Sequence, residues 1–187
     1  MTIAVLIILG AIVLMILAII GVYNSLVQKR IRCQEAWSQI DVQLKRRYDL
    51  IPNLVETVKG YAAHEKETLE RVIQARNQAI AAQGVRQQAE AENMLTGALR
   101  QLFALSEAYP NLKANENFLA LQEELSSTEN RISFARQHYN DSAAVYNTAA
   151  QSFPNNVIAG MFGFQRQDYF ELEDTAMRQA PKVSFNR

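Results

Sequence analysis

Residues 37–61 read WSQIDVQLKRRYDLIPNLVETVKGY. Trp37, Leu44, Ile51 and Val58 recur every seven residues, and Ile40, Leu54 and Tyr61 each follow one of them by three. This is the seam of a helix packed along its length against other helices. Arg47 takes the one seam position where an apolar residue is expected. A charge there needs a buried acceptor, because an unpaired buried charge is strongly destabilising. Glu107 and Glu129 are the candidates, unless a kink at Pro52 turns Arg47 outward. The seven-residue phase is the same on both sides of Pro52, which predicts one helix kinked near Ile51-Pro52 rather than two helices.

Upstream, Ile3 to Val22 is a run of twenty residues with no charge or strongly polar side chain. That length crosses ~30 Å of hydrocarbon as a helix. No Lys or Arg precedes the run and no A-x-A site follows it, so a retained anchor is expected rather than a cleaved signal peptide. Lys29, Arg30 and Arg32 come soon after it, and the positive-inside rule then puts the bulk of the chain in the cytoplasm. Ala4, Ala11 and Ala18 are spaced by seven, and Ser25 continues the series. The stripe suits anchors that associate in lipid, or reflects no more than the abundance of alanine in membrane helices. From Val22 to Ile51 there is neither Pro nor Gly, so the anchor is expected to run on into the soluble helix. If the helix persists to about Ala82, with Gly60 as a weak spot, it extends ~90 Å beyond the membrane.

Downstream, Gln83-Gly84 reads as a turn. A second helix from Val85 to Tyr109 follows, with Leu95, Leu102 and Tyr109 spaced by seven. Pro110 ends it, and Asn115 caps the next helix. The third helix is the most regular: Phe118, Leu125, Ile132, Tyr139, Tyr146 and Phe153 are each seven apart. Short connections then predict that the three helices alternate in direction. In the tail, VIAGMFGF (Val157 to Phe164) precedes an acidic stretch, with a short helix expected from about Gln167 to Arg178. Met161, Phe162 and Phe164 offer a sticky patch for a partner or a second bilayer, or fold back over the end of the bundle. The alternating directions place this patch far from the protein's own membrane.

The chain has 187 residues, with 19 basic and 19 acidic side chains. No basic excess supports nucleic-acid binding. Cys33 is the only cysteine, so no intrachain disulfide forms. His64 and His138 lack the Glu-x-x-His spacing of a di-metal bundle, and His64-Glu65 does not complete H-E-x-x-H. There is no phosphate-cradling loop and no G-x-S-x-G elbow. No cofactor, no metal and no catalytic residue are expected. Arg46, Asp49, Asn53 and Glu56 form one polar stripe opposite the seam. It is either an intermolecular contact strip or a solvated face carrying an Arg46–Asp49 pair.

With these residues laid out, the chain resembles the LemA family. The resemblance runs through Tyr23-Asn24, Ala36-Trp37, the run from Asp49 to Val55 and Lys59-Gly60-Tyr61. It continues through the stretch from Glu107 to Asn115, Glu129-Asn130-Arg131-Ile132, Tyr139-Asn140 and Tyr146-Asn147, and reaches Pro181 and Phe185, covering essentially the whole chain. It implies a single-pass bacterial membrane protein with a cytoplasmic antiparallel helical domain, and it implies no particular reaction.

The expected fold is all-α. A transmembrane anchor over 1–22 is continuous with an antiparallel helical bundle over 23–153, made of three long helices. A tail with a short helix occupies 154–187. The expected function is a scaffold in the bacterial inner membrane, N-terminus outside, held by lipid and self-associating into a homo-oligomer. A membrane-shaping protein and an adaptor for an unknown protein partner are the alternatives.

Overall fold

The computed structural model describes residues 2–171, all helices and connections, with no strand among them. The helices are α1 (Thr2–Lys59), α2 (Lys66–Ala81), α3 (Gly84–Ser106), α4 (Pro110–Lys113), α5 (Glu116–Gln151) and α6 (Asn155–Met161). The described residues divide into two compact units, one formed by 2–49 with 123–169 and the other by 50–122 with 170–171.

In the first unit, α1 and α5 are antiparallel partners. Their register is fixed by Arg46 with Glu124, Arg47 with Glu129, and the Trp37 and Tyr139 rings, whose centroids are 5.3 Å apart. The buried row on α1 is Leu26, Cys33, Ala36, Ile40, Leu44 and Arg47, a three-and-four spacing that keeps one stripe inward. On α5 the row is Leu125, Thr128, Ile132, Tyr139, Ala143, Tyr146 and Ala150. Phe153, expected to continue that row, is 84% exposed, because α5 ends at Gln151.

In the second unit, α2 and α3 form a helical hairpin. Leu69, Val72, Ala75 and Ala79 face inward from α2, and Ala91, Leu95, Leu99 and Leu102 from α3. Gly84 makes the tight turn between them with φ +77°, a backbone conformation that disfavours a side chain. Gln88 Nε2 donates to the Ala79 carbonyl at 3.1 Å and satisfies one of the open acceptors at the end of α2. Glu67 and Arg71 pair along α2. Asn115 Oδ1 accepts from the Phe118 N–H at 2.9 Å, the cap anticipated for α5.

Three expectations need correcting. The helix does run unbroken through Pro52, which sits on its exposed face where the missing N–H costs least. It does not run on to Ala82. It stops at Lys59, and residues 60–65 form a connection in which Ala62 is buried. The stop is held by distant partners: Asn115 Nδ2 donates to Tyr61 Oη, and Tyr109 Oη donates to Glu65 Oε1, each at 3.0 Å.

The second helix ends at Ser106 rather than Tyr109. Pro110 opens the one-turn α4, where a missing N–H is harmless.

The third correction concerns the start of the tail helix. Residues 164–171 are not helical, and the rest of the expected helix lies outside the described residues.

Candidate functional site

The densest cluster of aromatic and polar contacts in the first unit lies where α5 ends. The sequence there supplies a seven-residue helix with a glycine stop. Ile158 and Ala159 turn inward from α6, and Gly163, at φ +69°, lets the chain reverse. The Phe164 N–H then bonds the Ala159 carbonyl at 2.9 Å and closes the helix end.

After that turn the chain becomes a strap laid along α5. Tyr146 Oη donates to the Gln165 carbonyl at 2.9 Å, and Tyr139 Oη donates to the Asp168 carbonyl at 2.8 Å. Asn147 grips Gln167 at both backbone groups, donating to its carbonyl and accepting from its N–H, each at 2.9 Å. Burial pushes the Tyr139 phenol up to about 12, helped by the nearby Cys33 and Asp168. Burial also raises Tyr146, against the pull of Arg30.

The strap starts against α1. The Tyr23 ring meets Phe162 at 4.9 Å and Phe164 at 5.5 Å, edge to face, and the Arg30 guanidinium stands 5.2 Å from the Phe164 ring centre. Tyr23 directly follows the apolar run, so VIAGMFGF lies beside the end of that run, not far from it as alternating helices required. The cause is the hairpin of α2 and α3. It leaves from Glu65 and returns at Tyr109, so α5 starts beside the end of α1 and runs back along it.

Of the other predicted positions, Arg47 is 3% exposed, and its Nη2 lies 3.1 Å from Glu129 Oε2. Arg46, Asp49, Asn53 and Glu56 are all exposed. Arg46 pairs with Glu124 on α5 rather than with Asp49, which pairs with Lys45, while Glu56 pairs with Lys59. Ala4, Ala11 and Ala18 are exposed, as is the whole apolar run up to Ala18 among the described residues. Met161 and Phe162 are exposed, and Phe164 is half-buried.

Cys33 is buried, and desolvation raises its thiol, which makes it a poor nucleophile. His64 and His138 are exposed and on different units. Among the described residues no cluster of His, Cys, Asp and Glu is arranged to hold a metal ion. A groove of about 410 Å³ between α1 and α5 is lined by Val42, Gln43, Phe134 and His138 among others, with no Ser, Thr, Cys or Lys side chain in its lining.

Sequence reasoning missed the strap and its anchors. Tyr139 and Tyr146 read as seam residues, and their hydroxyls went unused. The usable signal was Asn147, a polar residue beside a seam tyrosine, which proves 4% exposed.

A sequence model described as the LemA family matches residues 36–185. Magnetosome protein MamQ of Magnetospirillum gryphiswaldense is 26% identical over an alignment covering 79% of this chain and 64% of that protein. MamQ 2 of Paramagnetospirillum magneticum is 25% identical, covering 80% and 64% respectively. Protein LemA of Metamycoplasma hominis is 29% identical, covering 75% of this chain. The chain spans 64% of the length of each of these relatives.

Proposed function

Because the chain belongs to the LemA family, we propose that it is a membrane-anchored, self-associating helical scaffold of the bacterial inner membrane, without catalytic activity of its own. The observation that carries this reading is the continuity of α1. One helix begins as an apolar run whose side chains meet solvent and ends, from Leu26 onward, as a packed member of the fold. The first part is long and apolar enough to cross a bilayer, and none of its apolar stretch is buried among the described residues. A rigid junction of this kind transmits the orientation of the anchor to the helices packed on α1, which is what a scaffold needs. Lys29, Arg30 and Arg32 favour the cytoplasmic side for those helices, and the row of Ala4, Ala11 and Ala18 offers close approach between anchors.

Cysteine crosslinking at Ala11→Cys in intact membranes, in a Cys33→Ala background, tests the proposal. A disulfide-linked dimer or higher ladder is expected. A strictly monomeric chain, both there and in nanodiscs, counts against self-association. A second reading, in which the assembly shapes the bilayer, is favoured by the exposed apolar side chains at the end of α5.

A further inference from the structure

Phe153, Val157 and Met161 stand four residues apart and are 84%, 53% and 71% exposed. Phe162, next in sequence, is 53% exposed. The opposite face of α6 is spent on Ile158 and Ala159, which are buried. Four large apolar side chains thus gather on one short turn-and-helix segment and face outward. Soluble surfaces rarely leave such a group bare, and it marks an interaction site.

Its neighbours say what covers it. Tyr23, one residue past the apolar run, touches Phe162 at 4.9 Å. The exposed row therefore starts at the level where α1 leaves hydrocarbon if the run spans a bilayer. A tyrosine at that level matches the aromatic belt of membrane proteins. Lys29, Arg30 and Arg32 follow Tyr23 within about 14 Å along the helix axis at 1.5 Å per residue. Arg30 is stacked on Phe164, and Arg166 lies over Tyr169. Cations just above an apolar row complement anionic headgroups over acyl chains.

We propose that the segment from Phe153 to Phe162 is a second membrane contact. It is a foot whose Phe153, Val157, Met161 and Phe162 side chains enter the headgroup–acyl boundary of the bilayer that α1 crosses, on the leaflet where α1 emerges. The anchor alone leaves the helix pair free to rotate about the axis of α1. A foot held against Tyr23 fixes that rotation, so the same face of α1 and α5 always points along the membrane plane. The inference rests on α1 spanning a bilayer, and the test separates the two.

The full chain, in a Cys33→Ala background, is reconstituted in vesicles of phosphatidylcholine and phosphatidylglycerol. It carries an environment-sensitive fluorophore at Met161→Cys, Leu14→Cys or Ser127→Cys. Quenching by nitroxide-labelled lipids and by aqueous iodide is then compared. The expected result is Leu14 quenched from within the hydrocarbon, Met161 quenched at a depth of about 5–10 Å into the boundary, and Ser127 quenched by iodide alone. Val157→Cys repeats the reading at a second exposed site, so a poorly folded variant does not decide the matter. Leu14 in lipid with Met161 and Val157 open to iodide overturns the foot and leaves the anchor standing. Met161 and Val157 shielded from both quenchers means that protein, another copy or a partner, covers the row, which also overturns it. Leu14 open to iodide overturns the anchor and the foot together.

Discussion

Arg47 holds its charge at 3% exposure, and a carboxylate paired with it, Glu129, has a side chain that is 42% exposed. The pair is asymmetric. Removing Glu129 takes an ion-pair partner from a buried charge, whereas removing Arg47 frees a partly solvated one. Glu129→Ala is therefore expected to cost about 2 kcal/mol, below the range for fully buried pairs because water screens the carboxylate side. The double variant Arg47→Met with Glu129→Ala is expected to be more stable than Glu129→Ala alone, since methionine fills the same space between Leu44 and Ile51 without a charge. Urea midpoints of the detergent-solubilised chain check the order. Tyr139 gives a second prediction at this scale. Its phenol is held neutral to about 12, while in the unfolded chain it ionises near the ordinary value of 10. The native state thus keeps its proton longer. The stability this contributes is present below pH 10 and is lost as pH rises from 10 through 12, by about 2 kcal/mol. A spectrophotometric titration is expected to show a phenol that ionises near 12 and disappears in Tyr139→Phe. That variant also loses about 1 kcal/mol for the bond to Asp168.

Among the elements, α5 and the packed half of α1 were readable from the chain, because a seven-residue row needs only local spacing to be seen. The row placed Arg47 on the seam and Phe118 through Tyr146 on one face of α5, where the structure has them. The stop at Lys59 was not readable. Residues 60–65 hold one glycine and no proline, and the connection stands on bonds to Tyr109 and Asn115, more than forty residues away. Local propensity does not report such partners. The direction of α5 was lost with it, and so was the place of Met161 and Phe162. The strap was hidden for a different reason, because Tyr139 and Tyr146 serve at once as apolar fillers and as donors. Its entry depends on Gly163, where an added Cβ meets no atom but φ is +69°. Gly163→Ala is therefore expected to cost about 1–2 kcal/mol from backbone conformation alone. The protease sensitivity of the 162–171 region should rise, while α1 and α5 keep their helicity by circular dichroism.

At the scale of the whole chain, charge is balanced overall but not along its length. The 19 basic and 19 acidic side chains cancel, yet Lys29, Arg30 and Arg32 cluster soon after the apolar run. Orientation in a membrane follows that local asymmetry and not the net charge. Ser127 is exposed on α5 in the same unit as these residues, so it reports the side on which the packed helices lie. In spheroplasts, Ser127→Cys in the Cys33→Ala background is expected to resist a membrane-impermeant maleimide and to react once the membrane is opened. Replacing Lys29 and Arg32 by Gln spares Arg30, whose ring contact belongs to the strap. That change is expected to raise the fraction labelled in intact spheroplasts, because orientation then rests on one cation instead of three. Labelling of Ser127→Cys before the membrane is opened would place the helices outside. The foot beside Tyr23 would then press on the outer leaflet, since its contact with α1 moves with the chain whichever way the anchor points.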